Sequence, residues 1–289
     1  MFIDNLIGHS LNLNNLISLY KNSNLPTKIL LSGKGGIGKS IIVSHFLNKV
    51  FDEKNSNFLI KNKTHPNVLN IKKKNDKKFI EIDQIREIVK FTNQSSFNNK
   101  SRFIIIDDVE FLNINSANSL LKSLEEPNEN VYFILIYNSD HKILDTIKSR
   151  CLEIKISINL ADTKLIVDNY FSENIYDTIH VSLVNYYSSP SFLISLVSYL
   201  RESSLNITDT NINELVTNII ENKHYNKHVF VEEYLKYIIE LFFYNHINVT
   251  KKITHKVKKY YYSKLSNIMR FNLDYETFFL EFKDNLLNE

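Results

Sequence analysis

The stretch Lys28-Ile29-Leu30-Leu31-Ser32-Gly33-Lys34-Gly35-Gly36-Ile37-Gly38-Lys39-Ser40 joins a short apolar run to a glycine-dense turn. Of the chain's 5 glycines, all but one fall here, at Gly33, Gly35, Gly36 and Gly38. Gly33-x-x-x-x-Gly38-Lys39-Ser40 is the pattern of a phosphate-binding loop, in which glycines let backbone N–H groups curl around phosphates at a helix N-terminus. In that reading Lys39 reaches the terminal phosphates of ATP and Ser40 ligates Mg²⁺. The same residues satisfy Gly33-x-Gly35-x-x-Gly38, a dinucleotide fingerprint. Lys39-Ser40 decides for a triphosphate and its metal, and no acidic residue closes the second apolar run at Ile71 to Lys74 to hold a ribose. A glycine turn with no ligand would leave four permissive positions without a purpose.

Outward from this loop, Lys28 to Leu31, Val68 to Ile71, Phe103 to Ile106, Val131 to Tyr137 and Leu152 to Ile156 are apolar or alternating runs of strand length. Helix-length segments separate them: Ser40 to Phe51, Asp83 to Thr92, and Ser116 to Glu126 closed by Pro127. The alternation predicts an α/β domain over residues 1–157, with a parallel five-stranded sheet and flanking helices. After Ile156 only amphipathic helical patterns follow, first Asp162 to Phe171, Ile175 to Tyr186 and Phe192 to Leu200. A polar stretch from Arg201 to Asn213 then precedes Val229 to Ile247 and Tyr275 to Leu287. The expected organisation is a helical lid over 158–205 and an all-helical C-terminal domain over 206–289. The Lys72 to Lys78 run reads as a solvated turn beside a strand.

A phosphate loop needs a second acidic site for Mg²⁺ and, for hydrolysis, a carboxylate that positions water. Phe103-Ile104-Ile105-Ile106-Asp107-Asp108 supplies the acids at the carboxyl end of a buried strand, where ligands sit in open α/β sheets. Asp107 is the expected metal partner of Ser40. Asn138, ending the next strand in Tyr137-Asn138-Ser139, is placed to sense a terminal phosphate or to form a turn.

The segment Asn118-Ser119-Leu120-Leu121-Lys122-Ser123-Leu124-Glu125-Glu126-Pro127, followed by Ser149-Arg150-Cys151, closely resembles the signature of bacterial DNA polymerase III clamp-loader subunits, of the AAA+ superfamily. The resemblance runs from about Leu25 to Ile156 and includes Ile82-Asp83-Gln84-Ile85-Arg86. It implies that Arg150 is an arginine finger acting in trans, in the ATP site of a neighbouring subunit, and that the C-terminal helical domain is an oligomerisation collar. Two departures from the ATP-hydrolysing members stand out. Asp108 takes the place of a water-positioning Glu, one methylene shorter, and Ser191 in Ser188-Ser189-Pro190-Ser191 takes the place of an arginine that senses nucleotide from the lid. Both favour the delta-prime type of subunit, a stator, over a tau/gamma type motor. What the resemblance then implies is a chain working with motor subunits, the delta subunit, the sliding clamp and primed DNA, with ATP and Mg²⁺ optional in this subunit. The four-cysteine zinc module of many relatives is missing around Phe51 to Pro66, so no zinc is expected. An active AAA+ ATPase of DNA maintenance and a stand-alone P-loop kinase or nucleotide-binding regulator are the rival readings; no acceptor-substrate site supports the kinase.

Composition bounds these readings. The formal charge is only +3, from 35 Lys plus Arg against 32 Asp plus Glu, so contact with nucleic acid would need local patches. Lys251-Lys252, Lys256, Lys258-Lys259 and Tyr260-Tyr261-Tyr262 combine charge with rings. In helical register the lysines line a solvated face while the tyrosines pack inward, and this reading is preferred. Cys151 is the single cysteine, excluding an intrachain disulfide and fitting a reducing cytoplasm. It reads as a small apolar residue rather than a nucleophile. No leader-like N-terminus or membrane span is expected.

Overall fold

A computed structural model describes residues 6–52, 56–74, 77–93, 100–125, 130–247, 253–271 and 273–287. Glu126, Pro127, Lys251, Lys252 and part of the Phe51 to Pro66 insert lie outside them. The chain divides into two compact units, Met1–Leu165 and Ile166–Glu289.

In the first unit the strands are β1 (Lys28–Gly33), β2 (Val68–Ile71), β3 (Arg102–Ile106), β4 (Val131–Asn138) and β5 (Leu152–Lys155). The helices are α1 (Ser10–Lys21), α2 (Lys39–Val50), α3 (Ser56–Lys61), α4 (Ile82–Asn93), α5 (Ile114–Glu125) and the short α6 (Asp145–Lys148). The sheet order is β2-β3-β4-β1-β5 and each pairing is parallel. β1 and β4 are therefore neighbours, with Gly33 opposite Asn138. β2 and β3 are also neighbours, with Ile71 opposite Ile106.

Alternation along each strand sorts its side chains to two faces. Leu30, Ile104, Ile106, Phe133 and Leu135 pack with Ile85 and Ile88 of α4 and Ala117, Leu120 and Leu124 of α5. On the opposite face Phe103 meets Phe46 of α2 edge-on at 5.7 Å and stacks on Tyr132 at 5.2 Å, with Tyr20 of α1 against all three rings. Each fully buried aliphatic or aromatic side chain contributes about 1.5–3 kcal/mol through water exclusion. Arg102 is buried as well, and its Nη1 donates to the Phe91 and Thr92 carbonyls at 2.9 and 3.1 Å, closing the end of α4.

The second unit is helical: α7 (Leu160–Phe171) leads into it, followed by α8 (Val181–Val184), α9 (Pro190–Glu202), α10 (Ile212–Glu221), α11 (Val229–His246), α12 (His255–Phe271) and α13 (Glu276–Phe282). One apolar cluster runs from Val167 to Phe282 and takes in residues from α7 through α13, spanning most of the expected lid and the expected collar, while residues 158–165 of the lid fall in the first unit. Its aromatic centre is Phe242, Phe243, Tyr261, Phe278 and Phe282, joined by ring contacts of 4.9 to 6.1 Å.

The segment Ile175 to Tyr186 is a correction: it is not one helix but a 3₁₀ turn, Tyr176–Thr178, and then α8. His180 breaks it. Its backbone is extended, its N–H donates to Ile207 O at 3.3 Å, and its ring accepts the Ser182 N–H as the cap of α8. The carboxyl-terminal segment is also interrupted, with α13 ending at Phe282 and a π-helical turn over Lys283–Leu287.

The basic and aromatic stretch forms α12. Tyr261 is buried, Tyr262 half-buried with its ring 6.2 Å from Phe243, and Lys256 and Lys259 are exposed. Tyr260, also exposed, departs from the inward packing expected of all three tyrosines.

Candidate nucleotide-binding site

β1 delivers Gly33 to the carboxyl edge of the sheet, and α2 begins at Lys39. Between them the backbone takes two left-handed positions, Gly36 at φ 72° and Gly38 at φ 95°, open to glycine at no steric cost. Close approach explains two others. A Cβ on Gly33 would lie 2.3 Å from the Ile156 carbonyl oxygen, and one on Gly35 would lie 2.9 Å from Asn138 Nδ2. The loop is thus a cradle that side chains would fill.

Lys39 is buried within the loop it closes. Its Nζ donates to Gly33 O at 2.7 Å and Lys34 O at 2.5 Å. Burial holds its ammonium below the ordinary lysine range, with Glu110 and Asp107 pulling the other way. Ser40, one residue into α2, donates its hydroxyl to Asp107 Oδ2 at 3.2 Å. The two residues expected to share Mg²⁺ therefore meet across 67 positions of sequence.

Asp107 and Asp108 leave β3 in different conformations. Asp108 is left-handed at φ 63° and starts a 3₁₀ turn, Val109–Phe111. This conformation is uncommon outside glycine and is tolerated by Asp. Burial, reinforced by Asp107, pushes the Asp108 carboxyl above its usual value. The 3₁₀ turn then presents Glu110, whose Oε2 accepts the Asn138 N–H at 3.2 Å. Burial raises its carboxyl to about 7, although hydrogen bonds from its own and the Asn138 backbone N–H oppose this. The Asn138 side chain faces the loop at Gly35, while its Oδ1 accepts the Asp140 N–H at 3.1 Å, a local turn bond. Both roles expected of Asn138 are compatible with this placement.

Lys72, exposed at the start of its run just beyond β2, also reaches the acids. Its Nζ lies 3.2 Å from Asp107 Oδ2 and 3.6 Å from Asp108 Oδ2. A cleft of about 970 Å³ opens here, lined by Ser40, Asp107, Lys72 and Gln84 among others.

Arg150 lies on the Ser149-Arg150-Cys151 turn between α6 and β5, the edge strand. Its Nη2 pairs with Glu125 Oε1 at 2.7 Å and its Nη1 donates to Thr146 O at 3.1 Å, at the end of α6. The Arg150 side chain is 36% accessible. Cys151 is half-buried against the α4/α5 face of the sheet, and burial pushes its thiol up to about 11, so little thiolate forms at neutral pH. Ser191 bonds the Tyr234 hydroxyl at 2.9 Å and Ser188 that of Tyr237 at 2.8 Å, while Ser189 caps α9.

Residues 8–159, over half of the 289-residue chain, match the family described as DNA polymerase III, delta subunit. The chain belongs to this family of bacterial clamp-loader AAA+ proteins. Among its relatives, DNA polymerase III subunit delta' of Pseudomonas aeruginosa is 31% identical over 134 residues, 43% of this chain and 41% of that protein. DNA polymerase III subunit gamma of Buchnera aphidicola subsp. Schizaphis graminum is 32% identical over 149 residues, 47% and 40% of the two chains. The matches thus span about two fifths of these relatives' length. The crystal structure of a DNA polymerase III gamma subunit-related protein from Thermotoga maritima shares the fold, with TM-score 0.51 and 18% identity over 93% of this chain and 96% of that one.

For a family member the fit to a nucleotide can be judged residue by residue. The glycine cradle, the enclosed Lys39 and the helix N-terminus suit phosphates; the paired oxygens of Ser40 and Asp107 are of the kind that hold a hard divalent ion, but Asp107 Oδ2 already carries the Lys72 ammonium. Among the described residues no group of three or more His, Cys, Asp or Glu is arranged to hold a metal, and no helix is long and apolar enough to cross a membrane.

Three residues of this region escape sequence reasoning. Lys72 reaches the acids only through the β2/β3 register. Glu110 is half-buried only because the turn folds it back on β4. His9, ahead of α1, is buried beside Gly38, with Nε2 2.6 Å from Ile37 O. Because a carbonyl only accepts, Nε2 carries the proton in that contact.

Proposed function

We propose that this chain is a delta-prime type subunit of the DNA polymerase III clamp loader. In this reading it is a stator: it helps a hetero-oligomer open the sliding clamp and place it on primed DNA, and contributes Arg150 to the ATP site of an adjacent motor subunit. Residues 158–205 act as the lid and 206–289 as the collar that binds the other subunits, the delta subunit among them. The protein works in the cytoplasm.

The observation that carries the reading is Arg150. It is a planar cation with exposed surface on the edge-strand side of the sheet, anchored by one backbone hydrogen bond to Thr146 O and by an ion pair to Glu125 between part-exposed partners, which contributes little to stability. A guanidinium so held is free to exchange Glu125 for phosphoryl oxygens. The residues around the chain's own loop support a weak or absent ATPase. Asp108 is short, left-handed and paired to Lys72. The serines of Ser188 to Ser191 are engaged with tyrosines and with the helix cap rather than presenting a cation. Lys39, Ser40, Asp107 and the glycines would hold ATP, and any Mg²⁺ would have to take the Asp107 oxygen from Lys72. In a stator this nucleotide is structural.

ATP turnover of the isolated chain and of the reconstituted loader tests the proposal. The isolated chain should show negligible turnover. In the assembly Arg150→Ala should lower turnover by about 10³-fold or more at the site it serves, whereas Lys39→Ala should change it less than about twofold. Robust turnover by the isolated chain, abolished by Lys39→Ala, would instead establish an active motor.

A further inference from the structure

Where β2 and β3 end, three hydrogen bonds fix the chain. The Asp107 N–H donates to Ile71 O at 2.8 Å, which prolongs the Ile71 to Ile106 pairing and sets residues 72 and 107 side by side. The Gln84 amide donates to Lys72 O at 2.9 Å. Gln84 is itself held by the Glu81 N–H at 3.1 Å. The backbone of Lys72 is thus pinned beside the acidic strand end from two elements.

Its ammonium lies on the same carboxylate oxygen, Asp107 Oδ2, that accepts the Ser40 hydroxyl, and within ion-pair reach of Asp108. These are the oxygens a phosphate-bound Mg²⁺ would need. Lys73 adds positive charge, with its Nζ 5.3 Å from the Phe111 ring centroid and close enough to act on Asp108. A divalent ion entering here would displace one ammonium and meet the field of its neighbour. The cost is electrostatic and substantial at separations of about 4 Å.

We propose that Lys72 is the resident cation of this site: its ammonium takes the place of Mg²⁺ at Asp107 and Asp108, so that nucleotide binds this chain without needing a divalent ion. The proposal rests on reading Gly33 to Ser40 as a nucleotide loop. Lys39 and the loop N–H groups hold the phosphates, and Lys72 supplies the countercharge that Mg²⁺ supplies in a motor subunit. Lys72 is a positioning residue rather than a catalytic one, since it acts on the carboxylates.

The test is binding of a fluorescent N-methylanthraniloyl ATP by the full chain, with excess Mg²⁺ and with EDTA. Wild-type affinity should differ by less than about threefold between the two conditions. Lys72→Gln and Lys72→Met should each create a Mg²⁺ preference of about tenfold or more, and Lys72→Arg should restore indifference. A tenfold Mg²⁺ requirement in the wild type, or no change of the ratio in the two neutral variants, overturns the proposal. Lys72 is half-exposed, at 51% side-chain accessibility, so these substitutions leave the core intact. Titration with Mn²⁺ alone, read by electron paramagnetic resonance, separates this proposal from the nucleotide reading. If no protein binds the analogue but the neutral variants gain a Mn²⁺ site absent from the wild type, the nucleotide reading fails and Lys72 as resident cation stands. If neither analogue nor Mn²⁺ binds any variant, both fail.

Discussion

Glu110 carries a pH dependence that its neighbours do not share in the same form. Its carboxyl is raised to about 7 from an ordinary value near 4.5, chiefly by burial. Between these values the folded chain holds a proton that the unfolded chain has lost. Stability from this group is therefore complete below the unfolded value and falls as pH rises toward 7. Glu110→Gln keeps an acceptor for the Asn138 N–H and removes the titration. Relative to wild type it should gain thermal stability as pH goes from 5 to 8, by up to about 2 kcal/mol after allowance for solvent screening. Melting both proteins across that range checks the sign, and a constant difference would exclude Glu110 as the source. The phosphate loop was legible because its constraints are local, four glycines and Lys39-Ser40 in one stretch. Lys72, Glu110 and His9 were not, because each acquires its partners from a strand register, a folded-back turn or a distant segment.

At the level of elements, α10 shows how a polar residue sets a boundary. Asn211 accepts the Asn213 and Glu214 N–H groups at 2.9 and 3.1 Å, while Glu214 accepts the Asn211 N–H at 3.1 Å. Asn211→Ala opens this capping box and should cost about 1 kcal/mol, read as a lower urea midpoint with an unchanged m-value. All five strands were legible: the buried β1, β3 and β4 are continuous apolar runs bounded by turn residues, and the exposed edge strand β5 shows as a short alternation. The helical half was less so. In Ile175 to Tyr186 the apolar periodicity continues through His180, whose cap and bond to Ile207 O interrupt the helix. α1 fell outside the segments assigned as helices, since its Asn-rich composition blurs the apolar face.

For the whole molecule, the telling fact is that the helical core is self-contained. Every residue of the large cluster lies between Val167 and Leu287, including fully buried Phe242, Phe243, Phe278 and Phe282. Residues 158–289 expressed alone, with α7 complete, should fold with a single cooperative thermal transition and native helix content by circular dichroism. A non-cooperative melt would show that this core depends on the α/β unit. Within that α/β unit, Lys39 has a comparable self-sufficiency. Its ammonium is already satisfied by the Gly33 and Lys34 carbonyls, so an incoming phosphate exchanges hydrogen bonds rather than adding them. The loop is consequently finished as structure before any nucleotide arrives. Such a chain completes this part of its fold without nucleotide, and its loop keeps its shape whether or not ATP is present.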